Sequence, residues 1–176
     1  RGFGLIRHRG VNRKDGAFRD QAGAVDYVSG AAVLLRRETL ERVGLLDPDY
    51  VIYVEDVDWS ARARKAGYTL WYEPQARGWH HVSVTSCGGL TPLKAYFRLR
   101  SGALYLSRHE PAAARPLAWL AYGAWTAWLL LGTAWRRDLD SAGALLLGFA
   151  DFTMILLGGR APVRRPEGFA RRARRR

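Results

Sequence analysis

The sequence predicts an α/β unit followed by an α-helical, membrane-associating segment. Three observations lead there. Through residues 1–110, short β-branched runs alternate with stretches of helical spacing, as in an α/β unit. Residues 116–135, "PLAWLAYGAWTAWLLLGTAW", then carry no charge and are about as long as a bilayer-crossing helix. Finally, the net charge of +12 is unevenly spread, with much of the excess in "RGFGLIRHRGVNRK" and "RRPEGFARRARRR" at the two ends. The predicted division is 1–110 for the α/β part, 111–160 for the apolar helices and 161–176 for a basic tail.

Taken in order, residues 1–24 are polar, rich in Gly and Arg, and without period, which predicts a loop. "VDYVSGAAVLL" (25–35) is β-branched and apolar, with Gly30 at its middle. It predicts a buried strand with a close backbone approach at the glycine. "RRETLERVG" predicts a short helix closed by Gly44, and "LLDPDY" a turn at Asp47-Pro48. A helix follows over 55–66, stopped by Gly67. "YTLWYE" (68–73) reads as a strand ended by Pro74, and "RGWHHVSV" (77–84) as another. Residues 91–109 have helical spacing. After residues 116–135 comes a second apolar stretch, 142–159, interrupted by Asp151. No repeat at solenoid spacing is visible.

With 176 residues, 48% hydrophobic and 25% charged, the chain can build a core of one or two domains. A basic tail suits anionic lipid or nucleic acid. Nucleic acid is not expected, because no aromatic-basic interleaving or reader motif accompanies the arginines. The single cysteine, Cys87, permits no internal disulfide and gives no support for a thiolate metal site. No signal peptide is visible. The chain opens on Arg1 without a methionine and reads as a fragment or a processed chain.

The stretch "YVEDVDWSARARKAGYTLWYEPQARGWHH" concentrates the candidate chemistry. Glu55, Asp56 and Asp58 fall in the first turn of a helix, where unpaired N–H groups favour acids. Arg62 lies four residues after Asp58 and can pair with it across one turn. These charges therefore have structural explanations as well as a catalytic one. His80 and His81 end a predicted strand, and histidine with carboxylate can hold a divalent metal. Alternation lets only one of the two face a given site; a packed or solvated pair is the other reading.

The ordered string from "DYVSGAAVLL" to "GWHH" resembles the C-terminal half of the catalytic domain of family 2 glycosyltransferases. The nearest look is to the rhamnosyltransferase-like branch that builds bacterial surface polysaccharides. The matching pieces are Ser29-Gly30-Ala31, Gly44-Leu45-Leu46-Asp47, Glu55-Asp56 with Asp58 and Arg62, Gly67, Pro74, Ala76 and His80. "YFRLRSG" resembles a "Y...RN" segment through Tyr96 and Arg100, with Ser101 where Asn is usual. The resemblance spans about residues 5–110; each motif is weak alone, and their order and spacing are specific.

The resemblance implies a GT-A fold and inverting transfer of a sugar, with rhamnose suggested, from a nucleotide-sugar donor to a polysaccharide or lipid-linked acceptor. Asp56 would be the general base, relieving the attacking hydroxyl of its proton. A divalent metal, Mg²⁺ or Mn²⁺, would be held in part by His80, with His81 as the fallback. Ser29, Gly30, Glu55, Trp59 and Arg100 would meet substrate, although core packing explains Trp59 at least as well. The family's nucleotide-binding half, with its DxD motif, would precede this region. Without it the chain is not expected to bind donor or turn over by itself, and "DVD" (56–58) belongs to the "ED" helix instead. The alternative is a catalytically incompetent remnant acting as a membrane-anchoring or interaction module.

The apolar tail is expected at a membrane surface, on its cytoplasmic face beside anionic lipid. Trp119, Trp125 and Trp128 fall well inside the uncharged stretch, which favours a helix in the plane or a dipping hairpin over a span. Asp151 would be costly at mid-bilayer without a partner. A buried helical pair of a soluble domain is the competing reading.

Overall fold

A computed structural model describes residues 21–78, 90–157 and Arg164. Its elements run β1 (Gly23–Val25), α1 (Arg37–Val43), a 3₁₀ turn (Pro48–Tyr50), α2 (Glu55–Lys65), β2 (Leu70–Tyr72), α3 (Pro92–His109), α4 (Arg115–Trp135) and α5 (Leu139–Leu156). β1 and β2 form an antiparallel ribbon with Ala24 opposite Trp71, the sheet among the described residues. The described chain is therefore mixed but helix-rich, and the α/β prediction is met by a small ribbon instead of a wide parallel sheet.

The expected strand over 25–35 is corrected. β1 stops at Val25, and Leu34 is 96% exposed. The reason lies in where its backbone groups go. The Asp26 carbonyl accepts from Arg64, the Val28 amide donates to Ser60 Oγ at 3.2 Å, and the Gly30 amide donates to Asp56 Oδ2 at 2.9 Å. Alternate residues 26, 28 and 30 thus meet residues 64, 60 and 56 of α2, one helical turn apart. Two extended residues rise about 6.6 Å and four helical residues about 6 Å, so the registers match. Residues 26–30 are thus laid along a helix and not paired with a strand, and a turn follows in which the Ala32 amide donates to the Ser29 carbonyl. Of the predicted strand over 77–84, residues 77 and 78 have no strand structure and the rest lies outside the described residues.

The helices follow their signals. α2 ends in a left-handed Gly67 (φ 91°); the Gly67 amide donates to the Arg64 carbonyl and the Tyr68 amide to the Ala63 carbonyl. This is the Schellman arrangement that a C-terminal glycine permits. α3 starts on Thr91, whose hydroxyl accepts from the Lys94 amide, followed by Pro92. α4 ends on a second Schellman turn, with Arg137 (φ 55°) in the position glycine usually takes. α5 is capped by Asp138, which accepts from the Ser141 amide at 3.1 Å.

Two cores result. Trp59, Ala63 and Leu70 pack with Val25, Val28, Leu35, Leu40, Val43 and Tyr68. Ala95, Tyr96, Phe97 and Leu99 of α3 pack with Ala144 and Leu145 of α5. α3 and α5 approach closely at Gly148, where an added Cβ would lie 2.7 Å from the Tyr96 carbonyl oxygen. Asp151, which would be costly at mid-bilayer without a partner, has partners. It is 2% exposed, accepts from the Tyr96 hydroxyl, and pairs with Arg164 at 2.7 Å. A carboxylate so paired can sit in a helix interface without the penalty of a lone buried charge.

Candidate active site

The site is organised by the turn that enters α2. Val51 (φ 58°), Tyr53 (φ 64°) and Val54 (φ 72°) all lie in the left-handed region. Bulky and β-branched residues avoid that region, at a cost of order 1–3 kcal/mol each. The segment 50–54 is therefore a strained arch, held in place from α3. Ser101 is fully buried, and its hydroxyl reaches the carbonyls of Tyr50 and Ile52 at 3.2 and 3.1 Å. The Arg100 guanidinium donates to the Asp49 carbonyl, and Arg98 lies 5.6 Å over the Tyr53 ring. Arg108 pairs with Asp47 and Asp49 and covers the Tyr50 ring. Ile52 and Tyr53 pack against the α3–α5 core.

The arch delivers Glu55, Asp56 and Asp58 into one helical turn but into three environments. Asp56 is half-buried, with Oδ2 accepting from the Gly30 amide at 2.9 Å and Oδ1 from its neighbour Val57 at 2.8 Å. A carboxylate has about four lone-pair sites, so two backbone donors orient Asp56 and leave it able to take a proton. Tyr27 lies beside it: burial first, then the nearby Asp56 charge, pushes the phenol up to about 12. Ser29 accepts weakly from the Ala31 amide through its hydroxyl, and its carbonyl accepts from Ala32. A Cβ on Gly30 would meet Asp56 only at ordinary contact distance, so it is the Gly30 amide that matters to Asp56.

Glu55 has an oxygen, Oε2, that is buried without a hydrogen-bond partner among the described residues. Burial chiefly, with the Asp56 charge behind it, raises its pKa against a lowering backbone hydrogen bond. Asp58 is the structural member. It is 2% exposed, accepts from the Tyr50 hydroxyl at 3.1 Å and contacts His109 Nε2 at 2.7 Å through Oδ1; Oδ2 accepts from Arg62 Nε at 2.8 Å. Burial pushes its pKa up, but the His109 and Arg62 hydrogen bonds and charges outweigh that and hold it below the usual range. The i, i+4 pairing of Asp58 with Arg62 is as the spacing predicts.

Arg62 also donates to the Val43 and Leu45 carbonyls, and Trp59 Nε1 donates to the Gly44 carbonyl at 2.8 Å. Together they satisfy the C-terminal end of α1. Trp59 is 3% exposed and belongs to the core, so it offers no ring face to a sugar. Arg100, also 3% exposed, supports the arch instead of reaching outward. The structure thus brings Ser29, Gly30, Glu55 and Asp56 together and sets Trp59 and Arg100 behind them. Tyr27, His109 and Ser101 are the residues that sequence reasoning missed. Tyr27 neighbours the "SGA" turn, which is a usable signal. His109 and Ser101 act from about fifty positions away, which no local spacing reveals.

His80 and His81 lie outside the described residues. Among the described residues no group of three or more His, Cys, Asp or Glu side chains is arranged to hold a metal ion. Asp58, the most buried of the nearby acids, is already committed to His109, Arg62 and Tyr50. The described residues therefore do not fit a metal centre on their own.

No family model matches the chain, and no solved structure does. Two curated proteins are similar. Both carry the name N-acetylglucosaminyl-diphospho-decaprenol L-rhamnosyltransferase, from Mycobacterium tuberculosis strains CDC 1551 / Oshkosh and ATCC 25618 / H37Rv. Each is 34% identical over 117 residues, covering 65% of this chain and 34% of the relative. The chain thus spans about a third of the length of these relatives. It is related by sequence, over most of its own length, to a mycobacterial glycosyltransferase.

Proposed function

We propose that this chain is part of an inverting glycosyltransferase of family 2, with the GT-A fold, in which Asp56 is the general base. The observation that carries the reading is the setting of Asp56: a half-buried carboxylate at a helix start, oriented by the Gly30 and Val57 amides and presented by a strained arch. Strain of this kind collects where a side chain must be held for function.

In the reaction, an acceptor hydroxyl gives its proton to the Asp56 carboxylate as its oxygen forms a bond to the anomeric carbon of the donor sugar. The bond from that carbon to the diphosphate breaks on the opposite side, a nucleoside diphosphate leaves, and the configuration inverts. A positioned base contributes about 10²–10⁴-fold to such a step. Glu55, whose buried Oε2 has no hydrogen-bond partner among the described residues, is placed to meet a sugar hydroxyl. Ser29 and Gly30 line the same side. The divalent metal implied by the resemblance would be held by residues outside the described ones, His80 among them; no step here runs through it.

The relatives' name points to a sugar-diphospho-polyprenol acceptor and an L-rhamnosyl donor, and we carry both classes over as the substrates to test. In the complete protein, dTDP-rhamnose with N-acetylglucosaminyl-diphospho-polyprenol should release nucleoside diphosphate and give a longer lipid-linked saccharide. Release with another donor would keep the transferase and discard rhamnose. Absence of release across a nucleotide-sugar panel would favour the anchoring-module alternative.

A further inference from the structure

α4 has two faces. The inner one carries Ala118, Tyr122, Leu129 and Thr133. Ala118 and Thr133 are buried, Leu129 packs on the α3–α5 core, and the Tyr122 hydroxyl donates to the Leu99 carbonyl at 2.6 Å. The outer face carries Leu117, Leu120, Trp128, Leu131 and Trp135, the last 90% exposed and the middle three about 70%. Their spacing keeps them on one stripe of a 3.6-residue helix. Leu139, Leu146 and Phe149 of α5 are exposed as well. An exposed apolar stripe such as that of α4 marks a docking site. Arg115 stands exposed at one end of the stripe, Arg136 and Arg137 at the other, and the chain closes on the arginine-rich "RRPEGFARRARRR".

We propose that this stripe docks in the plane of an anionic lipid bilayer. Tryptophan favours the boundary between hydrocarbon and headgroups, and arginine the anionic headgroups beside it. By length and composition α4 could also cross a bilayer. Its attachments argue against that. The Tyr122 hydroxyl is set against α3 at Gly102, where an added Cβ would come within 2.6 Å of it. Crossing would drag α3 into hydrocarbon with Arg98, Arg100 and Arg108, a cost that charged groups avoid.

α3 serves both tasks: Tyr96, Leu99 and Gly102 meet α4 and α5, and Arg100, Ser101 and Arg108 hold the arch. Docking would therefore hold the arch near the bilayer through α3, the helix that both share. This placement rests on the proposed transferase reading, to which it adds how a lipid-linked acceptor is met; the docking itself does not.

The test uses the full chain and sedimentation with phosphatidylcholine vesicles, with and without phosphatidylglycerol. Binding should require phosphatidylglycerol, weaken in high salt, and be released by alkaline carbonate. Brominated lipid should quench tryptophan fluorescence. Trp128→Ser/Leu131→Ser/Trp135→Ser should weaken binding at least about tenfold, since each removes exposed apolar surface, while Trp71→Ser on β2 should not. Arg136→Glu/Arg137→Glu, which leaves the apolar stripe intact, should lower the preference for anionic vesicles. Retention after carbonate would mean a span and overturn the proposal. So would vesicle binding that the stripe substitutions leave unchanged. A dimer in solution that those substitutions dissociate, with no vesicle binding, would assign the stripe to a second copy and also overturn it.

Discussion

Two residues apart on α2, Asp56 and Asp58 meet different surroundings, and the difference is testable. Asp58 lies buried between Tyr50, Arg62 and His109. Removing one partner of a buried pair costs 3–5 kcal/mol; Arg62 is partly exposed, so Asp58→Asn should cost about 2 kcal/mol. Because the folded state holds the Asp58 carboxyl below its usual value, its stabilisation is complete above the unfolded value of about 3.9 and disappears as pH falls through the folded one. Wild type should therefore lose melting temperature below about pH 4 more steeply than Asp58→Asn. Glu55 has the opposite sign. Its folded pKa is raised, mainly by burial, so its contribution is lost as pH rises from the usual glutamate value through the folded one. Glu55→Gln should melt higher than wild type near neutral pH, and the gap should close on acidification. The acids and the Asp58–Arg62 pair were legible as a helix start with an i, i+4 partner. That Asp58 is buried was not, because Tyr50 and His109 approach it through tertiary packing.

At the scale of elements, α1 and α2 were readable from their stops at Gly44 and Gly67 and the later helices from spacing and apolar length, whereas the caps at Thr91 and Asp138 come from the structure. The β-branched composition of residues 25–35 predicts a strand, but composition reports neither the turn at Ser29–Ala32 nor what the chain before it lies against. Here it lies on α2 through Asp56, Ser60 and Arg64. Glycines on α5 separate packing from propensity. Gly143 has open space around it, so Gly143→Ala should stabilise by roughly 0.5–1 kcal/mol from helix preference. Gly148 faces the Tyr96 carbonyl, a backbone atom that cannot turn aside; Gly148→Ala should destabilise by about 1–3 kcal/mol as an overpacked contact. Thermal melts of the two variants should shift in opposite directions. Equal shifts would mean that α3 and α5 are not packed at this contact.

Over the whole molecule, α3 is the shared support. It holds the arch that presents Asp56 and also α4 and α5 with their exposed apolar stripe. The sequence showed the two halves and not their joint. Ser101 to the arch, Tyr122 to Leu99 and Asp151 to Tyr96 and Arg164 are all long-range contacts between ordinary-looking residues. The most direct measurement of the proposed chemistry is turnover of Asp56→Asn in the complete protein, followed as nucleoside diphosphate released in the presence of acceptor. Asparagine keeps the shape and can still accept from the Gly30 amide but cannot take the proton. Turnover should fall by about a hundredfold or more, with nucleotide-sugar binding and melting temperature close to wild type. Near-normal turnover in that variant would contradict the assignment of Asp56 as the base.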